Sequence, residues 1–219
     1  MKILHRIVQI LFPPKCILCG SILEKNELDL CTDCRIHGAE CPVKRTKLPF
    51  VESWLAVWHY EGNVRRSLLR YKFYNKRHYA AAYGRLLAMK ILRERECDFD
   101  LITWVPISRW RKLRRGYDQV ELLAKAVCRE LGTEAVSCLR KVRHNPPQSG
   151  IVGQAQRRAN VLGVYEAPEP DRFRDKRVLL LDDIITTGAT VSEAARVLLT
   201  AGAKEVHCAA VAAVNQHKK

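Results

Sequence analysis

The chain has 219 residues, with 38 Lys+Arg against 23 Asp+Glu, a formal charge of +15, and 47% hydrophobic residues. That apolar share excludes gross disorder and supports one domain of about 150–180 residues with a small appendage. The positive surplus points to a polyanionic partner: nucleic acid, an anionic membrane surface or a phosphate-rich substrate.

The first segment, Ile3 to Phe12, is apolar but interrupted by His5, Arg6 and Gln9. It is too short to span a bilayer, and no small-residue cleavage site follows it. Ile3, Ile7, Ile10 and Leu11 share one helical face, which predicts a short helix packed on the main domain. A helix lying on a membrane surface or against a partner is the alternative.

Pro13-Pro14 closes that helix and opens a cysteine module. Cys16-x-x-Cys19 and Cys31-x-x-Cys34 are separated by eleven residues. Each pair turns two thiolates toward one ion, and two such knuckles complete a closed, structural Zn(Cys)₄ site. Cys41 stands apart from these four. Cys97, Cys128, Cys138 and Cys208 lie among apolar residues and read as small buried hydrophobes. With no secretory leader in view, a reducing compartment, the cytoplasm, is expected, and no transmembrane segment is found.

Residues 46–60 are β-prone. Residues 63–95 carry a helical apolar period, and Leu101 to Val105 reads as a buried strand ended by Pro106. Asp118 to Leu131 is a helix with Gly132 just past its end. Val136 to Val142 is a candidate strand, 143–160 a polar loop without period, and Gly163 to Tyr165 a brief strand. Arg177 to Leu181 is the clearest strand, followed by a helix over Thr190 to Thr200 and a last strand over Val206 to Val214. This alternation predicts an α/β fold, a parallel sheet flanked by helices. The expected division is a module over 1–45 and the α/β domain over 46–219.

The chemistry concentrates where the best strand ends. Asp182 and Asp183 leave the apolar run at the carboxyl edge of the sheet, where open α/β folds bind ligands. Two adjacent carboxylates suit the paired hydroxyl donors of a ribose and sit near a divalent cation that balances a pyrophosphate. Thr186, Thr187 and Thr190 add hydroxyls. Gly188 and Ala189 bring backbone N–H groups close to a phosphate, and the following helix contributes its positive end.

The string Val178 to Thr190 resembles the PRPP (phosphoribosyl pyrophosphate) signature of type I phosphoribosyltransferases. The likeness widens. Leu11 to Gly20, Val105-Pro106-Ile107-Ser108, Arg115-Gly116-Tyr117-Asp118-Gln119, and Gln148 with Arg157 to Gly163 together resemble the ComF (ComFC/GntX) family, over nearly the whole chain. Members join a zinc ribbon to a phosphoribosyltransferase-like domain. Those studied are linked to natural competence, the uptake of single-stranded DNA, often alongside a DNA helicase.

The resemblance implies that Pro106, Ile107 and Ser108 form the pyrophosphate loop with Arg115 and Gly116, and that 143–160 is a hood. It implies further that Arg157 or Arg158 clamps the pyrophosphate while Asp182 and Asp183 serve the ribose, with magnesium. Asp118 departs from the family's usual Asn, an acid near an anion site. The second ribbon of many relatives is eroded after Cys41-Pro42.

Two basic clusters are interleaved with aromatics, the composition of a single-strand binding surface. One holds Arg109, Arg111, Lys112, Arg114 and Arg115 beside Trp110 and Tyr117. The other holds Arg65, Arg66, Arg70, Lys72, Lys76 and Arg77 with Tyr71, Phe73, Tyr74 and Tyr79. A solvated helix face is the competing reading of the second cluster, and a local pyrophosphate role of the first. The expected function is PRPP and single-stranded DNA binding in support of DNA uptake. A nucleotide-salvage transferase and a helicase-docking scaffold with a vestigial site remain open.

Overall fold

A computed structural model describes residues 12–38, 40–41, 47–94, 98–143, 156 and 160–214. The expected N-terminal helix, Cys97, Arg157 and Arg158 and most of the hood fall outside the described residues. The ordered elements are α1 (Thr32–His37), β1 (Trp54–His59), α2 (Gly62–Phe73), α3 (Tyr79–Glu94), β2 (Leu101–Trp104), α4 (Arg109–Arg115) and α5 (Gln119–Leu131). They continue with β3 (Arg140–Lys141), β4 (Tyr165–Glu166), β5 (Arg177–Ile185), α6 (Ala189–Thr200) and β6 (Glu205–Ala213).

Four strands form a sheet in the order β1-β6-β5-β2, every neighbouring pair parallel. Parallel strands buried on both faces read as continuous apolar runs, and successive side chains alternate between faces. Leu179, Leu181, Ala209 and Val211 enter one core with Leu68 and Tyr71 of α2, Tyr83 and Leu87 of α3 and Leu123 and Val127 of α5. Val178, Leu180, Cys208 and Ala210 enter the other with Val191, Ala194 and Leu198 of α6, Phe173 and Tyr165. Cys128, Cys138 and Cys208 are buried in these cores, as small hydrophobes.

Some boundaries differ from the sequence reading. The helical stretch 63–95 is two helices, because Asn75 turns left-handed at φ 53 just after Tyr74 ends α2. An Asn tolerates that conformation better than other non-Gly residues. The expected strand 136–142 shrinks to Arg140–Lys141, paired antiparallel with Tyr165–Glu166. Strand β5 runs four residues past Leu181, so both acids lie inside it. The basic run 109–115 is a short helix, capped by Ser108 and ended by Gly116 at φ 75.

The cysteine module packs into the first core through Cys16, Ile17, Leu18, Leu23, Leu30 and Cys34. Arg70 of α2 donates to the carbonyls of Leu18 at 2.7 Å and Ile17 at 3.1 Å. Arg85 of α3 holds Asp29 through two contacts, at 2.8 and 2.5 Å.

Helices α3 and α5 approach most closely where Gly84 faces Ala126. A Cβ at Gly84 would lie 2.5 Å from the Ala126 Cβ and 2.8 Å from its carbonyl carbon. Gly84→Ala gains about 1 kcal/mol of helix propensity, but overpacking costs about 1–3 kcal/mol. We expect a net loss, read as a lower urea midpoint with an unchanged m-value.

Candidate functional site

Because the strands are parallel, the loops that follow β5 and β2 meet at the same edge of the sheet. Asp182 and Asp183 are both buried there. Strand alternation sends them to opposite faces. Asp183 faces the α2/α5 side, where Lys72 Nζ sits 2.8 Å from its Oδ1 and Gln119 Nε2 donates to its Oδ2 at 3.1 Å. Gln119 in turn accepts from Arg115 at 2.8 Å. On the other face lie Tyr165 and Lys141, both of which feel the Asp182 charge. Burial, and then the neighbouring Asp183 charge, raises the pKa of Asp182 well above the ordinary carboxylate range. Burial, reinforced by Arg111, lowers that of Lys141 to about 8. The Lys141 ammonium also stands 5.4 Å from the Tyr165 ring centre.

The loop after β5 has the form the motif predicts. Gly188 adopts φ 79 immediately before α6, and a Cβ there would collide with the Leu48 side chain. Only glycine meets both demands. Thr186, Thr187 and Thr190 are half-buried beside it, and Ala189 begins the helix. The first turn of α6 therefore points backbone N–H groups at the loop.

The loop after β2 closes on itself. The Ile107 N–H donates to Asp118 Oδ2 at 3.0 Å, and Val120 and Glu121 donate to its Oδ1 at 2.9 and 3.2 Å. Asp118 thus caps α5 and is buried against amides. Three N–H donors turn its carboxylate into the loop, although its charge is still felt by Asp182 and Lys141. Pro106, Ile107, Ser108, Arg115 and Gly116 are brought to the same edge.

The basic residues divide. Lys72 belongs to the acid site, not to an outer surface. Arg70 is spent on the cysteine module. Arg65 and Arg66 are exposed about 10 Å farther along α2, with Arg66 bonded to Asn63. Of the interleaved aromatics, Tyr71 and Tyr79 are buried, whereas Phe73 and Tyr74 are exposed. On α4, Lys112 pairs with Glu121 at 2.8 Å. Arg109 and Arg114 are exposed and Arg111 is half-buried. A cavity of about 540 Å³ opens between α2 and α4, lined by Lys72, Phe73, Trp110, Arg111, Arg114 and Arg115 among others. The sequence reading missed Lys141, which no local pattern marks, and the role of Gln119, which it quoted only within a motif.

The four module cysteines form the metal-type cluster found among the described residues. Cys16, Cys19, Cys31 and Cys34 place their sulfur atoms within 4.8 Å of one another. The Cys19 and Cys31 sulfurs are 3.6 Å apart, close to the roughly 3.8 Å expected around a tetrahedral zinc with bonds near 2.3 Å. Gly20 turns the first knuckle at φ 86. The donor set fits a closed structural metal site.

Residues 120–219 match the phosphoribosyl transferase domain family. Competence protein F of Haemophilus influenzae is 28% identical over 200 residues, 88% of this chain and 82% of that protein. Competence protein ComFC of Streptococcus pneumoniae is 28% identical over 226 residues, 88% of this chain and 96% of that protein. Over most of its length the chain is thus similar to proteins named for competence. DNA utilization protein YhgH of Salmonella typhimurium is 28% identical over 200 residues, 87% of this chain and 86% of that protein. Among solved structures, the glutamine PRPP amidotransferase of B. subtilis is similar at 23% identity and a TM-score of 0.44, over 65% of this chain and 30% of that one. No helix among the described residues is long and apolar enough to cross a membrane.

The buried ion pair and the cysteine cluster each carry a test. Lys72→Met leaves the Asp183 carboxylate, 5% exposed, without its cation, which costs about 3 kcal/mol of stability. Adding Asp183→Asn should recover part of that loss in a denaturation double-mutant cycle. Elemental analysis of the purified protein should find one zinc per chain, and Cys34→Ser should abolish it and lower the melting temperature.

Proposed function

We propose that this ComF-family chain binds PRPP or a related ribose phosphate with magnesium, and binds single-stranded DNA, supporting DNA uptake in natural transformation. In that role it works in the cytoplasm alongside a competence DNA helicase. The observation that carries the reading is the conjunction, at one sheet edge, of the buried acid pair, the loop Thr186 to Thr190 and a basic cavity joined to Asp183 by Lys72. The names of the relatives support the competence role.

Each residue then has a part. The α6 N-terminus and the threonine hydroxyls hold the 5′-phosphate. Asp182 and Asp183 accept from the ribose hydroxyls. Backbone of the loop 106–108, with Arg115 and Arg158, faces the pyrophosphate. Magnesium, when bound, neutralises charge on the pyrophosphate. Arg65, Arg66, Arg109, Arg111, Lys112 and Arg114 are the candidates for a nucleic-acid backbone. For Arg70 and Lys72 the internal bonds described above take precedence.

Isothermal titration of PRPP with magnesium tests the ligand. The wild type should bind, and Asp183→Asn should bind about 10- to 100-fold more weakly, the loss of a charge-assisted hydrogen bond of about 1.5–3 kcal/mol. Equal binding by the two proteins would overturn the assignment of Asp183. Pyrophosphate release on adding a free base would move the reading to nucleotide salvage. Affinity for a short single strand should fall linearly in log K against log salt, by about 0.7 per phosphate contacted.

A further inference from the structure

The cavity between α2 and α4 is built of flat groups as well as charges. Phe73 is 62% exposed and Trp110 is 55% exposed, in a protein whose Trp54 and Trp58 are buried. The Arg115 guanidinium lies 5.0 Å over the Phe73 ring and that of Arg114 lies 5.5 Å over the Trp110 ring. Exposing two large aromatic rings costs hydrophobic free energy, and a phosphate-only site has no use for them. Guanidinium planes and aromatic rings are both stacking surfaces for an unpaired base.

The floor and rim are fixed. Tyr117 beneath is buried, stacked under Arg77 at 4.7 Å, with its hydroxyl committed to the Tyr71 carbonyl at 2.6 Å. Asn75 at the rim holds a left-handed φ of 53. Its Oδ1 accepts from Arg77 Nε at 2.9 Å. Arg115 and Lys72 join this cavity to Asp183, directly or through Gln119. A volume of about 540 Å³ is within the range of small-ligand pockets.

We infer that this cavity is a site for one unpaired nucleobase, stacked on Phe73 and Trp110 beside the ribose-phosphate edge. The inference rests on the proposed function for the neighbouring phosphate ligand, but its chemistry is separate: it needs a base, not a pyrophosphate. The base comes either from a single strand or from a free nucleotide, and the two sources are separable.

The test uses the full zinc-loaded chain. A labelled dT 12-mer and an abasic 12-mer of equal length and charge are titrated at the same salt. The dT strand should bind roughly 5- to 100-fold more tightly, from about 1–3 kcal/mol of stacking per base, and should quench tryptophan fluorescence where the abasic strand does not. Trp110→Ala should remove the quench and most of the difference, and Phe73→Ser should reduce the difference independently. AMP is titrated against ribose 5-phosphate in parallel. Base-dependent binding of the strand alone assigns the site to a strand's base, and base-dependent binding of AMP as well extends it to free nucleotides. Equal binding of both strands, no quench, and AMP no better than ribose 5-phosphate would sink the base site. PRPP titration judges the parent reading separately: a chain that fails to bind PRPP while preferring dT over abasic strands keeps the base site and loses the other.

Discussion

Two carboxylates on consecutive residues of a buried strand are costly to hold, since each loses hydration and repels the other. Alternation along the strand eases the repulsion by sending them to opposite faces, and the fold then compensates each side differently. On the α2/α5 face Asp183 receives an ammonium from Lys72 and an amide from Gln119. On the other face Asp182 lies near Tyr165 and a half-buried Lys141, with no comparably close cation on it among the described residues. Burial and the adjacent Asp183 charge hold the Asp182 pKa above the ordinary carboxylate range.

Lys72 can serve Asp183 only if α2 is held in register with the sheet. Two tyrosines do this from within. The Tyr71 hydroxyl donates to the Gln119 carbonyl at 2.5 Å, and the Tyr117 hydroxyl donates to the Tyr71 carbonyl at 2.6 Å. The residues on either side of this clasp, Lys72 and Gln119, are those that meet Asp183. The cysteine module holds the same helix from outside, since Arg70 and Ser67 both grip the Ile17 carbonyl. The four-cysteine cluster is closed and distant in sequence from the acids, yet it braces the helix that delivers their counter-ion.

Much of this was legible in the sequence because its signals are local. The strand 177–181, the acids, Gly188 and the α6 start form one continuous string whose residue types each have a steric or electrostatic reason. The cysteine spacing is similarly self-contained. What escaped was either tertiary or non-periodic. Lys72 looked like one member of a basic, aromatic stretch, and only packing shows that it points inward while Arg65 and Arg66 stay outside. Asp118 looked like a charge in conflict with an anion, and only the loop closure shows three amides directed at it. Helix α4 was hidden because a run of arginines has no apolar period; its boundaries come from Ser108 and the left-handed Gly116.

The net charge of +15 is a weak guide to where a polyanion would lie, because many of the basic residues are already occupied. Arg177 is bound to Asp98 and Asp100, Arg196 to Glu193, Lys90 to Glu94, Lys125 and Lys112 to Glu121. The exposed ones among these pairs add little stability, but all of them cancel charge locally. Around α4, Arg111, Arg114 and Arg115 share one cavity wall with exposed rings. Burial lowers the Arg111 basicity, and the neighbouring Arg115 lowers it further. Like charges packed this closely in a partly desolvated cavity raise its potential well above that of a surface carrying the same number of scattered lysines. That potential lies one lysine away from the acid pair, since Lys72 both lines the cavity and pairs with Asp183.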